Sequence, residues 1–535
     1  MVSRRSFWAW GLESDEPSEG DRARRAEHLS KRFRVSITPR PIPRLSDAVL
    51  RTPRVSVPDA LAEVCTTETW ERAFHSHGAH LTDRTAAFNL EFPNPTDAVA
   101  HPRTDEELVA VLEWCASRDI KVVPFGAGSS VVWGVNPPAV AGAVVTVAMD
   151  RFDRVLEIDP VSLAARIQAG VYGPALEGQL RPHGFTLRHF PQSFRFSTLG
   201  GWIATRSGGH YATNHTHIDD FVESVRVLTP KGWWESRRLP GSGAGPSPDR
   251  MVIGSEGIFG VITEAWMRIQ RRPTFRATAG IVFPTWSAGT DAVRQIVQAK
   301  LWPANCRILD PVEAQRAAGL DGTATLVIVG FESAEQSQRH AINASVEIAR
   351  AAGGVVGDDD IKVDDGDDVP TGREGSVGAW RESFIGVDPG IDTSLGLVAD
   401  TFETAITWDR WPEFDAEVRA RVGDALRVVF GSTAELSCRF THVYPDGPAP
   451  YYTWFGMGAQ GSETSQWAEI KAATSEAVLG AGGTITHHHA VGRMHRPQYD
   501  RQRPDLFADA IRAAKQAVDP GGIMNPGVLL DPAPT

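Results

Sequence analysis

Pro124-Phe-Gly-Ala-Gly-Ser-Ser130 follows a short apolar run, Ile120-Lys-Val-Val123, which itself follows a segment of helical spacing. In Thr104-Asp-Glu-Glu-Leu-Val-Ala-Val-Leu-Glu-Trp-Cys115, Thr104 and Glu107 stand at capping-box distance, and Leu108, Val111, Leu112 and Cys115 recur on one helical face. The order is helix, strand, Gly/Ser loop, with Pro124 expected to end the strand. Small residues at 126–130 let several backbone N–H groups converge on one point, and such a nest suits phosphate oxygens. A nicotinamide-type fingerprint does not fit, because Gly126-Ala-Gly128 is followed by Ser129-Ser-Val131 and no third spaced glycine. A Walker loop does not fit either, since no Gly-Lys-Ser/Thr closes the run. A lone GxG is as often a plain surface turn. The second small-residue run, Gly254-Ser-Glu-Gly-Ile-Phe-Gly-Val-Ile-Thr-Glu264, shifts the balance toward a bound pyrophosphate.

At 535 residues the chain is long enough for two or more cores, since single cores stop growing near ~250–300 residues. Its formal net charge of -12 argues against a nucleic-acid partner held by general electrostatics. The four cysteines, Cys65, Cys115, Cys306 and Cys438, show neither CxxC nor paired spacing, so neither a disulfide framework nor a zinc–thiolate site is expected. A reducing, cytoplasmic setting follows. The N-terminus turns acidic by Glu13 before an apolar signal core develops, and no stretch approaches the ~20 apolar residues of a membrane span. The ending Pro-Ala-Pro-Thr535 is not a peroxisomal tripeptide.

Residues 1–95 combine Arg clusters, the Pro-rich Thr38-Pro-Arg-Pro-Ile-Pro43 and a helical stretch around Asp59 to His75, and read as an arm wrapping onto the body. Residues 96–272 alternate short strands, such as Gly142-Ala-Val-Val-Thr-Val-Ala148 and Ser224-Val-Arg-Val-Leu228, with Gly-rich turns. Residues 273–500 carry longer helices, Trp408 to Leu426 and Ser462 to Leu479, among strands Arg427-Val-Val-Phe430 and Tyr451-Tyr-Thr-Trp-Phe455. Residues 501–535 form a last segment expected to pack back on the second. The acidic run Asp358 to Asp368 lacks an EF-hand register and reads as a solvated loop.

Read in order, Pro124 to Ser130, Gln192-Ser-Phe-Arg-Phe-Ser-Thr198, Gly200-Gly-Trp-Ile-Ala-Thr-Arg-Ser207 and Glu256 to Ile262 resemble the flavin-contacting stretches of FAD-binding flavoproteins of the vanillyl-alcohol-oxidase type. Within that type the chain resembles the alkyldihydroxyacetonephosphate synthases over nearly its whole length. The resemblance implies an α+β fold, a two-subdomain FAD-binding domain plus an α/β cap. It assigns FAD contacts to Pro124, Phe125, Gly126, Ala127, Gly128, Ser129, Ser130, Gln192, Ser193, Ser197 and Thr198, and further on to Gly201, Thr205, Arg206, Ser207, Glu256, Gly257, Gly260, Val261 and Ile262. In the cap it implies that Arg307 is important for activity, that Thr401 lies near the substrate, that Tyr451 gives or takes a proton, and that His487, His488 and His489 form a triple-histidine motif. Arg206-Ser-Gly-Gly-His210 looks like a covalent flavin-attachment sequence, but that sequence belongs to the phosphate loop, which here contains no histidine, so FAD is expected to be noncovalent.

The reaction implied exchanges the acyl group of an acylated dihydroxyacetone phosphate for a long-chain alcohol, with the flavin N5 holding the substrate and no net redox. It needs a base beside a carbonyl, a cation for the phosphate and an apolar channel, and His488, Arg307 and Tyr451 are candidates for base, cation and proton relay. A cationic neighbour or a histidine is expected to lower the pKa of Tyr451. Read alone, Tyr451 is more often a core tyrosine and Arg307 more often a structural ion-pair member. Three histidines on a strand put His487 and His489 on one face and His488 on the other, a geometry open to metal at i, i+2, but without a sequence-near acid or thiol no metal is expected. A lipid-like substrate, a homodimer and, through an apolar loop, peripheral membrane contact are the expected associations.

Three departures from the synthases concern the substrate more than the flavin, with the change at Gln192 falling in a flavin-contacting stretch. Pro389 stands where the synthases have a substrate-linked arginine, Gln192 replaces an aspartate, and Asp519-Pro-Gly-Gly-Ile-Met-Asn-Pro-Gly527 looks like the ending of FAD-linked 2-hydroxyacid dehydrogenases. The alternative is therefore an FAD-linked oxidase or dehydrogenase of a hydroxy acid or other alcohol, with hydride passing to N5. A flavin-binding module without chemistry is a third reading, disfavoured by Arg307, Tyr451 and the histidines occurring together.

Overall fold

The structure, a computed structural model, describes residues 4–209, 217–366, 377, 379 and 390–531. His210, Pro389 and the end of the acidic run at Asp367 and Asp368 lie outside the described residues.

Three main sheets organise the chain. The first has four strands in the order Cys65–Thr66, Ala98–Ala100, Val144–Ala148, Lys121–Phe125, the last three mutually parallel. The second is five-stranded and antiparallel, ordered Val155–Asp159, Ala164–Gln168, Val261–Arg268, Val222–Thr229, Gly232–Glu235. The third has seven strands, running from Ile361–Asp364 at one edge through Phe275–Phe283, Thr325–Ser333, Asn305–Leu309, Glu435–Val443 and Pro448–Met457 to Leu397–Glu403. Its pairings are all antiparallel. A helix-and-sheet mixture is what the sequence led us to expect.

The helix Asp105–Ser117 starts at Thr104, whose side chain accepts from Glu107 N–H, and buries Leu108, Val111, Leu112 and Cys115, the face read from the sequence. The strand after it does not stop at Pro124 but runs through Phe125. Lys121 N–H donates to Ala143 O on the neighbouring strand and Val122 N–H to Ile523 O on the other side. By that alternation the nitrogen of Pro124 points away from Val144–Ala148, so its missing N–H costs no ladder bond.

The large sheet is covered by the helices Trp286–Gln298, Arg339–Ala351, Trp411–Phe430 and Glu463–Gly480, which share one core with it. Trp411–Phe430 absorbs Arg427-Val-Val-Phe430, expected as a strand. Val418, Val422, Leu426 and Phe430 continue one buried stripe at four-residue spacing while Val428 is 81% exposed, so the apolar run serves a helix face until Gly431 turns at φ +57°. The acidic run opens with a short 3-10 turn, Asp358–Asp360, and continues into the edge strand Ile361–Asp364 with Asp364 buried, so only part of it is a loop.

The N-terminal residues touch several of these layers. Helix Glu19–Phe33 packs Leu29 and Phe33 against Leu397 and Phe455 of the large sheet and Leu395 just before it. Trp8 is buried edge-on against Phe88, centroids 5.1 Å apart. At the other end Met524 bridges to Val122, and Val528, Leu529 and Leu530 share a core with Ile258, Phe259 and Val491.

Candidate active site and flavin cleft

The strand Lys121–Phe125 delivers its chain directly into Gly126–Ser130. Among the described residues, none accepts a hydrogen bond from the N–H of Gly126, Ala127, Gly128, Ser129, Ser130 or Val131. Six adjacent donors left for an outside acceptor suit a pyrophosphate. Glycine is required twice: a Cβ on Gly126 would lie 2.3 Å from Thr198 Oγ1, and Gly128 turns at φ +71° over the ring of Phe125.

A cleft of about 440 Å³ opens from this loop. One wall is Gly126–Val131 with Gln192, Ser193, Thr198, Gly201, Thr205 and Ser207; facing it are Arg307, Asp400, Thr401, His442, Tyr451, His488 and His489 from the large sheet and its following loop. The walls meet closely, since a Cβ on Gly208 would stand 2.9 Å from the His442 ring and 3.3 Å from His488 Cβ. This size and mixed lining suit a bound cofactor with a substrate beside it.

Tyr451 and Thr401 are diagonal neighbours on paired strands, Tyr451 standing opposite Glu403 and Thr401 opposite Thr453, and the Tyr451 hydroxyl donates to Thr401 Oγ1 at 3.1 Å. The Arg439 guanidinium lies 4.4 Å from the centre of the Tyr451 ring. Burial pushes the Tyr451 pKa up, outweighing the lowering by Arg439 and by the Thr401 bond. The expected depression is therefore corrected: Tyr451 holds its proton. His488 lies over the Tyr451 ring at 5.9 Å and His489 edge-on at 5.5 Å. Arg307 is 2% exposed, with Nε donating to Asn305 Oδ1 at 3.1 Å.

The triple histidine is not on a strand. The buried carboxylate of Glu403 accepts the N–H groups of His487 at 2.6 Å, His488 at 3.1 Å and His489 at 3.0 Å, together with the Thr486 hydroxyl at 2.6 Å. Consecutive N–H groups of a strand point to opposite sides and cannot share one carboxylate. The segment is bent instead and ends with Ala490 at φ +74°. His488 and His489 thereby reach the cleft, whereas His487 sits behind it, with Nε2 at 2.6 Å from Tyr444 Oη and Nδ1 at 3.0 Å from His488 Nδ1. Burial opposes charge on Glu403, yet His488 and His489 beside it hold its pKa well below the usual value. Desolvation drives His442 and His487 well below 6.5 and His489 down to about 4.

These histidines carry a pH prediction. A histidine whose folded pKa is depressed contributes stability that is complete above its unfolded pKa near 6.5 and is lost as pH falls toward the folded value. His489 at about 4 and fully buried His189 at about 3 set that window. The melting temperature is therefore expected to fall from pH 6.5 to 4, with on the order of 3 kcal/mol lost per such histidine by the end of its window. A flat melting temperature over that range would overturn the neutral assignment.

Several residues assigned to FAD do not line the cleft. Pro124 and Phe125 point into the protein, where the Pro124 ring backs Gly257 and Phe125 packs on His75 and Phe74. Ser197 is spent on Trp202 Nε1 and Ser193 O, and Arg206 is half exposed and paired with Asp219. Glu256 accepts from Val491 N–H and Gly492 N–H, and burial raises its pKa to about 7. Gly260, Val261 and Ile262 belong to the tight pairing with Val227 and Leu228. The second glycine run thus clamps the chain beyond the histidines to the back of the phosphate-loop strand.

The cleft also includes residues that sequence reading missed: Trp10 and His80 from the N-terminal region, and His442. Behind it Arg5 donates to Ala127 O at 3.3 Å, with its guanidinium 4.2 Å from the ring centre of Phe196, a lining residue. Arg5→Ala is expected to raise the dissociation constant for FAD about 10-fold, the loss of one hydrogen bond and one cation–π contact. Fluorescence titration of the apoprotein with FAD reads it; unchanged affinity would remove the N-terminal residues from the cofactor site.

Comparison with known proteins accords with this geometry. Residues 96–236 match the model of an FAD binding domain and residues 272–529 that of the FAD linked oxidases C-terminal domain. The chain belongs to the FAD-binding flavoproteins that join these two domains, and it takes FAD as cofactor. Within them it is an FAD-dependent enzyme resembling alkyldihydroxyacetonephosphate synthase. It is 29% identical to that synthase of Trypanosoma brucei brucei, covering 94% of this chain and 85% of the relative. It is 25% identical to glycolate oxidase subunit GlcD of Bacillus subtilis, covering 82% and 90%. A solved alkyldihydroxyacetonephosphate synthase superposes with TM-score 0.79 at 22% identity over 97% of both chains, and p-cresol methylhydroxylase with 0.67 at 14% over 88% and 94%. These two likenesses concern the fold, which is the vanillyl-alcohol-oxidase type. Among the described residues, no helix is long and apolar enough to cross a membrane.

Proposed function

We propose that this enzyme exchanges an acyl for an alkyl group on a glycerone-phosphate lipid. The reading is carried by the convergence of Tyr451, Thr401, His488 and Arg307 on the cleft that starts at the free N–H groups of Gly126–Val131. Bound FAD supplies N5, an electrophilic centre for holding the substrate. In the exchange one carbon–oxygen bond to the acyl group breaks, releasing fatty acid, and one to the alcohol oxygen forms. His488 takes the proton beside the carbonyl, Tyr451 supplies a proton to the departing carboxylate, and Arg307 holds the phosphate. Tyr451 keeps its proton through neutral pH and so has one to give. Gly126 to Ser130, Gln192, Ser193, Thr198, Gly201, Thr205 and Ser207 are proposed to hold FAD.

The second reading, hydride transfer from a hydroxy acid or other alcohol, is favoured by the buried Asn525, whose side chain donates to Gly134 O and Glu256 O as part of the dehydrogenase-like ending. An anaerobic assay separates the two. Fatty acid release from an acylated triose phosphate that requires a long-chain alcohol supports exchange; bleaching of the flavin by a 2-hydroxy acid supports oxidation.

Noncovalent FAD is expected to leave the protein on acid precipitation, and yellow colour kept in the pellet would refute it. A homodimer is proposed on the resemblance alone. Exposed Leu506 and Phe507 offer an apolar point for peripheral membrane contact, and four free, buried cysteines suit a reducing cytoplasmic setting.

A further inference from the structure

We propose that Glu71, His75 and His101 bind a divalent cation of the zinc type at a site outside the reactive cleft. Glu71 and His75 stand four residues apart at the end of the helix Thr69–Phe74, so their side chains share one face, and His101 follows directly on the strand Ala98–Ala100. Glu71 Oε2 lies 3.2 Å from His75 Nδ1 and 3.2 Å from His101 Nε2, and the three ligand atoms all fall within 4.8 Å of one another. Ligands at ~2.0–2.1 Å around a tetrahedral zinc stand about 3.4 Å apart, so the ion fits with small side-chain shifts.

A further carboxylate supports the set from outside. Asp150 Oδ1 stands 2.8 Å from His101 Nδ1. Such a partner fixes the tautomer that presents the other ring nitrogen to a metal, the arrangement in which metal-bound histidines are held. His75 Nδ1 is 2.8 Å from the Glu71 carbonyl, but that carbonyl also accepts the His75 backbone N–H at 3.0 Å. Turning Nδ1 to a metal therefore leaves no orphaned acceptor. Two imidazoles and a carboxylate, with water in the fourth position, suit zinc better than calcium or magnesium. The Glu71 and His101 side chains are each 21% exposed, which gives the ion a path in.

None of the three residues lines the cleft. An ion here fastens the helix to the chain that follows Ala98–Ala100, and the His75 ring meets Phe125, the last residue of the strand that leads into Gly126–Ser130, at 4.6 Å. A second group, His442, His487 and His488, also brings ligand atoms together, but it belongs to the reactive cleft, and the test must tell the two apart.

The FAD-loaded full chain is stripped with a chelator, incubated with Zn²⁺, gel-filtered and assayed for bound zinc. The wild type is expected to retain one equivalent more than either His101→Gln or Glu71→Gln. No retained zinc in the wild type, or a wild-type count of zinc in both variants, would overturn the proposal. Zinc-soaked crystals of the wild type provide a measurement independent of how the variants fold. An anomalous peak between Glu71, His75 and His101 supports the site; a map without one rejects it.

Discussion

Tyr451→Phe is expected to reduce alkyl-for-acyl turnover by ~10²–10⁴-fold, the range for removing a positioned general acid, with FAD still bound. The substitution removes one oxygen that donates to Thr401 Oγ1 at 3.1 Å and leaves the ring between Arg439 and His488 in place. Packing is conserved, so the flavin spectrum and melting temperature should stay near wild type while kcat collapses. A protonated Tyr451 also fixes the sign of the pH profile. Because burial raises its pKa, activity that depends on its proton should persist through neutral pH and decline only on the alkaline side. Thr401→Val, which removes the acceptor alone, should cost less and move that alkaline limb. Wild-type turnover in Tyr451→Phe would place the proton donor elsewhere and return Tyr451 to a packing role. His488→Ala should likewise abolish turnover with FAD retained; loss of flavin there would make His488 structural.

The order helix, strand, Gly/Ser loop was legible because its signal is local. Helix cap, apolar run and small residues lie within thirty residues of one another, and each dictates its own backbone. Gly254 to Glu264 was legible as a place of close approach, but what approaches was not. Gly257 receives the Pro124 ring and Glu256 receives the Val491 and Gly492 N–H groups, both contacts across long sequence separations. The N-terminal residues read as an arm wrapping onto the body, with no signal for a part in the cleft. Trp10 and His80 reach the cleft because the chain before Val99 runs beside it, which no periodicity encodes. Tyr451 lines the cleft, but its electrostatics run opposite to the expectation, since the cationic neighbour is present and burial outweighs it. The histidines were read with the period of a strand, yet one carboxylate 84 residues away overrides that preference. Glu403 stands two residues beyond Thr401, in Asp400-Thr-Phe-Glu-Thr404. An acid between Phe402 and Thr404 in a strand with buried ends is a signal in its own right, because a carboxylate is rarely buried without several donors.

Glu403→Gln is expected to be the most damaging single substitution at the site, destabilising the fold by about 3 kcal/mol or more and suppressing turnover, although Glu403 does not line the cleft. Both carboxylate oxygens are fully used: Oε1 takes the Thr486 hydroxyl and His489 N–H, Oε2 takes the N–H groups of His487 and His488. An amide has one acceptor end. Its NH₂ must face either the His487 and His488 N–H groups or the His489 N–H beside the Thr486 hydroxyl, so at least one backbone donor is left buried and unpaired whichever way the side chain is flipped. The same change removes the negative charge lying 3.4 Å from His488 Nδ1 and 3.6 Å from His489 Nδ1. The loop that aims both imidazoles into the cleft then loses its anchor. Thr486→Ala calibrates this, since it deletes one of the four donors and should cost only about 1 kcal/mol. Melting temperature and FAD content measured beside kcat separate positioning from collapse: a folded, yellow Glu403→Gln with lost turnover and a shifted pH–rate profile is the signature of misdirected histidines. If Glu403→Gln keeps wild-type stability and rate, the three N–H groups do not depend on that carboxylate, and the bend at 486–490 must arise from the packing of Ala490 and Val491 instead.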